Sequence, residues 1–168
     1  MRHRIPLLIA IAISGGAGCS SATPHTDSAP PSGSLPPTSV VTLDGAATDL
    51  STIIRGRSAI VTLWATWCDA CVAEIEPLKR LQAQAIARGD AIVVGVAIGE
   101  KREAVATFAS QRGLGYTQLV DEDFRLADAL GQRRVPATLV VDRAGRIVFR
   151  GGALDAAGLA AFRATLVE

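Results

Sequence analysis

Two cysteines three positions apart, Cys68 and Cys71, are the residues of this 168-residue chain whose spacing can carry chemistry. Trp64, Ala65, Thr66 and Trp67 lead into the pair at the end of an apolar run, and Asp69 and Ala70 lie between the two sulfurs. A helix starting here puts Cys68 just before its first turn and Cys71 one turn inside. Both sulfurs then fall on one side, close enough to bond. Free N–H groups and the positive end of the helix dipole face Cys68 and favour thiolate over thiol. Cys68 is therefore the predicted nucleophile and Cys71 the resolving thiol of a reversible disulfide. An inert structural bridge is the blander alternative, but such bridges usually close longer loops.

Metal chemistry lacks ligands. A structural zinc site needs four, and the remaining candidates are Cys19, His3 and His25, all upstream of the predicted domain. The same shortage removes a Cys–His nucleophile pair and a histidine-dependent copper site. No metal and no cofactor are predicted. A net charge of +1 gives no case for nucleic acid, and no basic cluster with interleaved aromatics supplies one.

The elements that must position the pair begin after a long N-terminal region. Residues 1–18 read as an export signal: Arg2, His3 and Arg4 are a positive leader, 5–13 a short apolar core, and Gly15, Gly16, Ala17 and Gly18 a small-residue run ending at Cys19. The core is too short to span a bilayer, which takes about 20 apolar residues. The run before Cys19 resembles the lipobox of bacterial lipoproteins, so Cys19 is the expected lipidation site and the membrane an expected partner. Gly16 stands where that motif usually has Leu, and ordinary cleavage after Ala22 is the alternative. Residues 19–39 are rich in Ser, Thr and Pro and are predicted to be a disordered tether.

Residues 40–168 carry a globular pattern of ordinary domain size. A short strand at 40–43 precedes a turn at Asp44 and Gly45, and a brief helical turn follows at 50–54. Residues 59–65 and 91–98 are continuous apolar runs, as expected of strands buried on both faces. Between them one helix is predicted to run from the cysteines to Arg88, with Val72, Ile75, Leu78 and Leu81 inward, a kink at Pro77 and a stop at Gly89. A strand–helix–strand unit of this kind implies a parallel pair with a right-handed crossover. Further helices are expected at 101–112, 124–130 and 156–167, an edge strand at 119–120, and a hairpin of 137–141 with 147–150. The fold class is α/β: a mixed sheet with helices on both faces.

The Trp-Ala-Thr-Trp-Cys-x-x-Cys stretch, the segment Arg134, Val135, Pro136, Ala137 and Thr138, and the hairpin at Asp142, Gly145, Arg146 and Ile147 together resemble the thioredoxin fold. More narrowly they are similar to exported TlpA/ResA-like thiol-disulfide oxidoreductases, over residues 40–168. The resemblance implies a thioredoxin-like fold with an N-terminal strand extension, a helix inserted after the second central strand, and a cis peptide before Pro136. It implies protein disulfides as substrates, apocytochrome c among them, and a membrane thiol reductase as electron donor in the cell envelope. Thioredoxins place a buried acid six residues before the first cysteine, where this chain has Thr62. Glu74 matches a glutamate common in the TlpA-like group and is a candidate proton relay, the alternative being a solvated helix charge. Trp67 and Val135 with Pro136 are the candidate substrate-docking residues, the Val135 backbone pairing with an extended substrate; Trp64 is assigned to the core. A peroxiredoxin-like peroxidase and a tethered protein-binding module are the competing readings. The first sets Thr three residues before its cysteine, whereas Thr66 is two before Cys68, and the second leaves the intact pair without a use.

Overall fold

The computed structural model describes residues 33–167. Along the chain run β1 (Ser39–Thr42), β2 (Ala47–Asp49), α1 (Leu50–Ile54), β3 (Ser58–Trp64), α2 (Asp69–Ala73), α3 (Ile75–Arg88), β4 (Ala91–Ile98), α4 (Arg102–Arg112), β5 (Thr117–Asp121), α5 (Arg125–Ala129), β6 (Ala137–Val141), β7 (Ile147–Gly151) and α6 (Ala156–Thr165). The strands form one sheet in the order β2-β1-β5-β4-β3-β6-β7. The neighbours β3/β4 and β4/β5 are parallel, and the remaining pairs are antiparallel.

The two continuous apolar runs became the two central strands, and every residue of β3 and β4 is buried. Alternate side chains face opposite layers. Ala59, Val61, Leu63, Val94 and Val96 pack with Leu50 and Ile54 of α1 and Leu126 of α5. On the other face Ile60 and Val93 meet Leu78 and Ala85 of α3 and Phe162 of α6. A fully buried leucine such as Leu126 contributes about 2 kcal/mol by leaving water. Capping fixes the helix ends: the Asp49 carboxylate accepts from Thr52 N–H at 2.8 Å, and Asp155 accepts from Gly158 N–H at 2.8 Å.

Three expectations need correction. The long helix after the cysteines is two helices, α2 and α3, with the break at Glu74 rather than a kink at Pro77. Pro77 explains the position: its ring crowds the carbonyl four residues back, that of Ala73, and removes the bond it would have accepted. The strand at 119–120 is longer and is not an edge, because β1 pairs with β5 and, with β2, extends the sheet beyond it. The tether does not last to residue 39. Leu35 is buried in the main core, Ser34 bridges to Arg146, Leu35 N–H donates to Gly145 O and Ile147 N–H to Gly33 O. Residues 33–35 thus run along the start of β7. The export signal, Cys19 and the tether up to residue 32 lie outside the described residues. Among those described, no helix is long and apolar enough to cross a membrane.

Candidate active site

Cys68 and Cys71 sit where β3 gives way to α2 and are joined as a disulfide with Cα atoms 5.2 Å apart. Cys68 is the N-cap of α2, in extended conformation, and its Sγ accepts from Cys71 N–H at 3.2 Å. The sulfur thereby takes the place of a capping oxygen, which is the geometry that stabilises a thiolate. A turn closed by Cys68 N–H on Ala65 O, 3.2 Å, leads into it. Burial does not separate the two thiols, since Cys68 is 7% and Cys71 4% exposed. Its position at the cap is what distinguishes Cys68.

The sequence-predicted neighbours gather around this pair. Trp67 is 71% exposed beside Cys68, while Trp64 is buried at the end of β3, its Nε1 donating to Gln118 Oε1 at 3.1 Å. The peptide between Val135 and Pro136 is cis. Val135 packs against the cluster that contains both cysteines, Trp64, Val105 and Val120, so the Pro136 loop flanks the disulfide. Thr62 is buried in mid-strand opposite Thr138, with no acid in its place.

Glu74 is not a solvated helix charge. Its N–H donates to Cys71 O at 3.1 Å, its Oε1 accepts from Leu154 N–H in the loop after β7, and its Oε2 is buried without a partner among the described residues. Burial pushes its pKa up, and the Leu154 bond pulls it back only in part. Tyr116 lies close enough to feel its charge, and burial raises the Tyr116 phenol to about 12. The break between α2 and α3 thus places a half-buried carboxyl, with its pKa raised, one turn beyond Cys71. Among the described residues no group of three or more His, Cys, Asp and Glu is placed to hold a metal.

Sequence reading missed Glu100 and Gln118. Glu100 bonds Thr66 from the loop after β4, and Gln118 holds Trp64 from β5. Both contacts join residues brought together by sheet register, 34 and 54 positions apart in sequence, and no local signal marks them.

Residues 26–155 match the family model described as Redoxin. Thiol-disulfide oxidoreductase ResA of Bacillus subtilis is 26% identical over 95 residues, covering 56% of this chain and 52% of the relative. Thiol:disulfide interchange protein DsbE of Escherichia coli is 32% identical over 99 residues, covering 58% and 51%. The chain spans about half the length of the curated relatives it matches. Among solved structures, a secreted thiol-disulfide isomerase from Corynebacterium glutamicum superposes with a TM-score of 0.70 at 24% identity, over 80% of this chain and 86% of that one. A secreted Mycobacterium tuberculosis disulfide oxidoreductase homologous to Escherichia coli DsbE gives 0.60 at 25%, over 76% and 96%. The mixed sheet with flanking helices is the thioredoxin-like fold of these neighbours.

Proposed function

Because the chain belongs to the Redoxin family, we propose that it is an exported thiol-disulfide oxidoreductase that reduces protein disulfides through Cys68 and Cys71. The observation that carries this reading is Cys68 Sγ at the N-cap of α2, accepting from Cys71 N–H and bonded to Cys71 Sγ. The Cys68 thiolate attacks one sulfur of a substrate disulfide, the S–S bond breaks, and the departing sulfur leaves as a thiolate that takes up a proton. Cys71, deprotonated, then attacks Cys68 Sγ and displaces the second substrate thiolate. Two electrons have passed to the substrate, and the protein is left with its Cys68–Cys71 disulfide. Glu74 takes the Cys71 proton, burial of its carboxyl favouring the protonated form. Trp67 and the Val135–Pro136 loop dock the substrate strand on either side of the sulfurs.

Direction follows from what lies between the cysteines. Asp69 and Ala70 supply no cation to pair with a Cys68 thiolate, so the reduced form gains less stability than in strongly oxidising relatives of this fold. The relatives named as oxidoreductases and as secreted proteins support an exported reductase. The small-residue run before Cys19 supports a lipid anchor there, and apocytochrome c with a membrane thiol reductase completes the proposed circuit.

Insulin reduction tests the reading. The wild type should accelerate precipitation of insulin chains by dithiothreitol, and Cys68→Ala should abolish the effect. Cys71→Ala should instead accumulate a mixed disulfide on Cys68. A wild type with no effect on insulin, or a mixed disulfide trapped on Cys71 of the Cys68→Ala variant in preference, would refute it.

A further inference from the structure

The turn that presents Cys68 is held from a different part of the chain. Thr66 N–H donates to Glu100 Oε2 at 2.8 Å, and the Thr66 hydroxyl donates to Glu100 Oε1. Thr66 lies inside the turn closed by Cys68 N–H on Ala65 O, so one carboxylate satisfies both donors of that turn residue. Sheet register brings the two loops together: Trp64 pairs with Ala97 at the parallel ends of β3 and β4, and the chain leaves both strands on the same side.

Glu100 is itself aimed by its backbone. Gly99 has a φ of 69°, and a Cβ there would lie 2.1 Å from the Phe124 ring. Phe124 holds a left-handed φ of 60° with the Arg133 guanidinium 4.9 Å from its ring centroid. A glycine whose side-chain space is already filled, beside a bulky residue kept in the left-handed region, marks a loop held to one shape.

We propose that Glu100 is a positioning residue for the Cys68–Cys71 pair: by gripping Thr66 it fixes the turn that sets Cys68 Sγ at the N-terminus of α2. The proposal rests on the reductase reading above. Without the grip the turn relaxes, Sγ drifts from Cys71 N–H, and the thiolate loses its stabilisation. A purely electrostatic role has the opposite sign, because removing a carboxylate from this neighbourhood lowers the thiol pKa. Glu100→Gln separates the two. Its amide oxygen accepts from Thr66 N–H and its NH₂ donates to Thr66 Oγ1, so the geometry survives while the charge is gone.

The test uses the reduced full chain and follows alkylation of Cys68 against pH, with Cys68 resolved from the other cysteines by peptide mapping and thermal unfolding recorded for each variant. Glu100→Ala should slow Cys68 alkylation at neutral pH about fivefold, the scale of a lost cap interaction, and move its pH midpoint upward. Glu100→Gln should react at or above the wild-type rate. An unchanged alkylation rate in Glu100→Ala, with only a lower melting temperature, overturns the proposal and leaves Glu100 a structural bond. Faster alkylation in both variants overturns it as well and assigns the effect to charge. Failure of the wild type to reduce insulin would remove the reductase reading without touching either alkylation result.

Discussion

One carboxyl, Glu74, holds a structural bond and a burial cost at once. Its Oε1 ties the start of α3 to Leu154, while Oε2 is buried without a partner among the described residues. Burial raises its pKa above the ordinary 4.5, so the folded protein holds this proton more tightly than the unfolded chain does. Well below 4.5 both states are protonated and the residue costs nothing; as pH rises from there through the raised folded value, stability is lost. Glu74→Gln keeps an oxygen for Leu154 N–H and never ionises. The variant should melt above the wild type at neutral pH, and the difference should vanish as the pH is lowered below 4.5, read by thermal unfolding at both ends. It also removes the carboxyl proposed to accept the Cys71 proton, so on that proposal insulin reduction should slow while stability rises, a trade expected where a group is retained for function against its burial cost. Equal melting temperatures at neutral pH would contradict the assignment of a burial cost to Glu74.

Elements meet under the disulfide across β3, β4 and β5. Gly95 of β4 sits between Thr62 on β3 and Gln118 on β5, and a Cβ there would lie 2.4 Å from Gln118 Oε1 and 2.9 Å from Trp64 Nε1. The missing side chain is the space in which Trp64 and Gln118 make their buried hydrogen bond. Gly95→Ala should destabilise the protein by about 2 kcal/mol, through overpacking and the loss of that bond. The cost should be smaller in a Gln118→Ala background, which removes the clashing oxygen, and urea unfolding of the four-member cycle measures the difference. Strictly additive losses would count against the Gln118 contact. The contrast with what was legible in the chain is physical. Period and apolarity revealed both central strands, the closing hairpin and the helices at 102–112 and 156–165, because each is local. The cysteine pair and Pro136 announce themselves by residue type. Gln118, Glu100 and the partners of Gly95 do not, since their roles exist only once register has set three strands side by side. The helix break at Glu74 was half legible: Pro77 signalled an interruption, and the carbonyl that its ring crowds fixed where it fell.

On the scale of the whole molecule the sheet has two poles. Trp64 and Ala137 lie at the end that carries Cys68 and the Pro136 loop. β6 runs antiparallel to β3, so Val141, opposite Ala59, and the turn at Asp142 lie at the far end. The first described residues lie at that far pole: Ser34 bridges to Arg146, and Leu35, 8% exposed, closes the core beside Ile147. Asp142 secures the turn they dock on: burial, the largest single effect, pushes its carboxyl up, but Arg146, through its N–H at 2.9 Å and its guanidinium at 2.7 Å, and Ala144 N–H at 3.0 Å together hold it below the usual aspartate range. The separation of the two poles makes stability and chemistry independent. Leu35→Ala removes a buried side chain and should cost about 2–3 kcal/mol, the lower part of the range for leucine truncation because the site lies at the edge of the core. Mutations that far apart and without shared partners act independently. Leu35→Ala should therefore lower the urea midpoint while Cys68 alkylation and insulin reduction, measured where the variant remains folded, stay at wild-type rates. A slowed Cys68 under those conditions would show that the far pole communicates with the disulfide and that the two ends of the sheet are coupled.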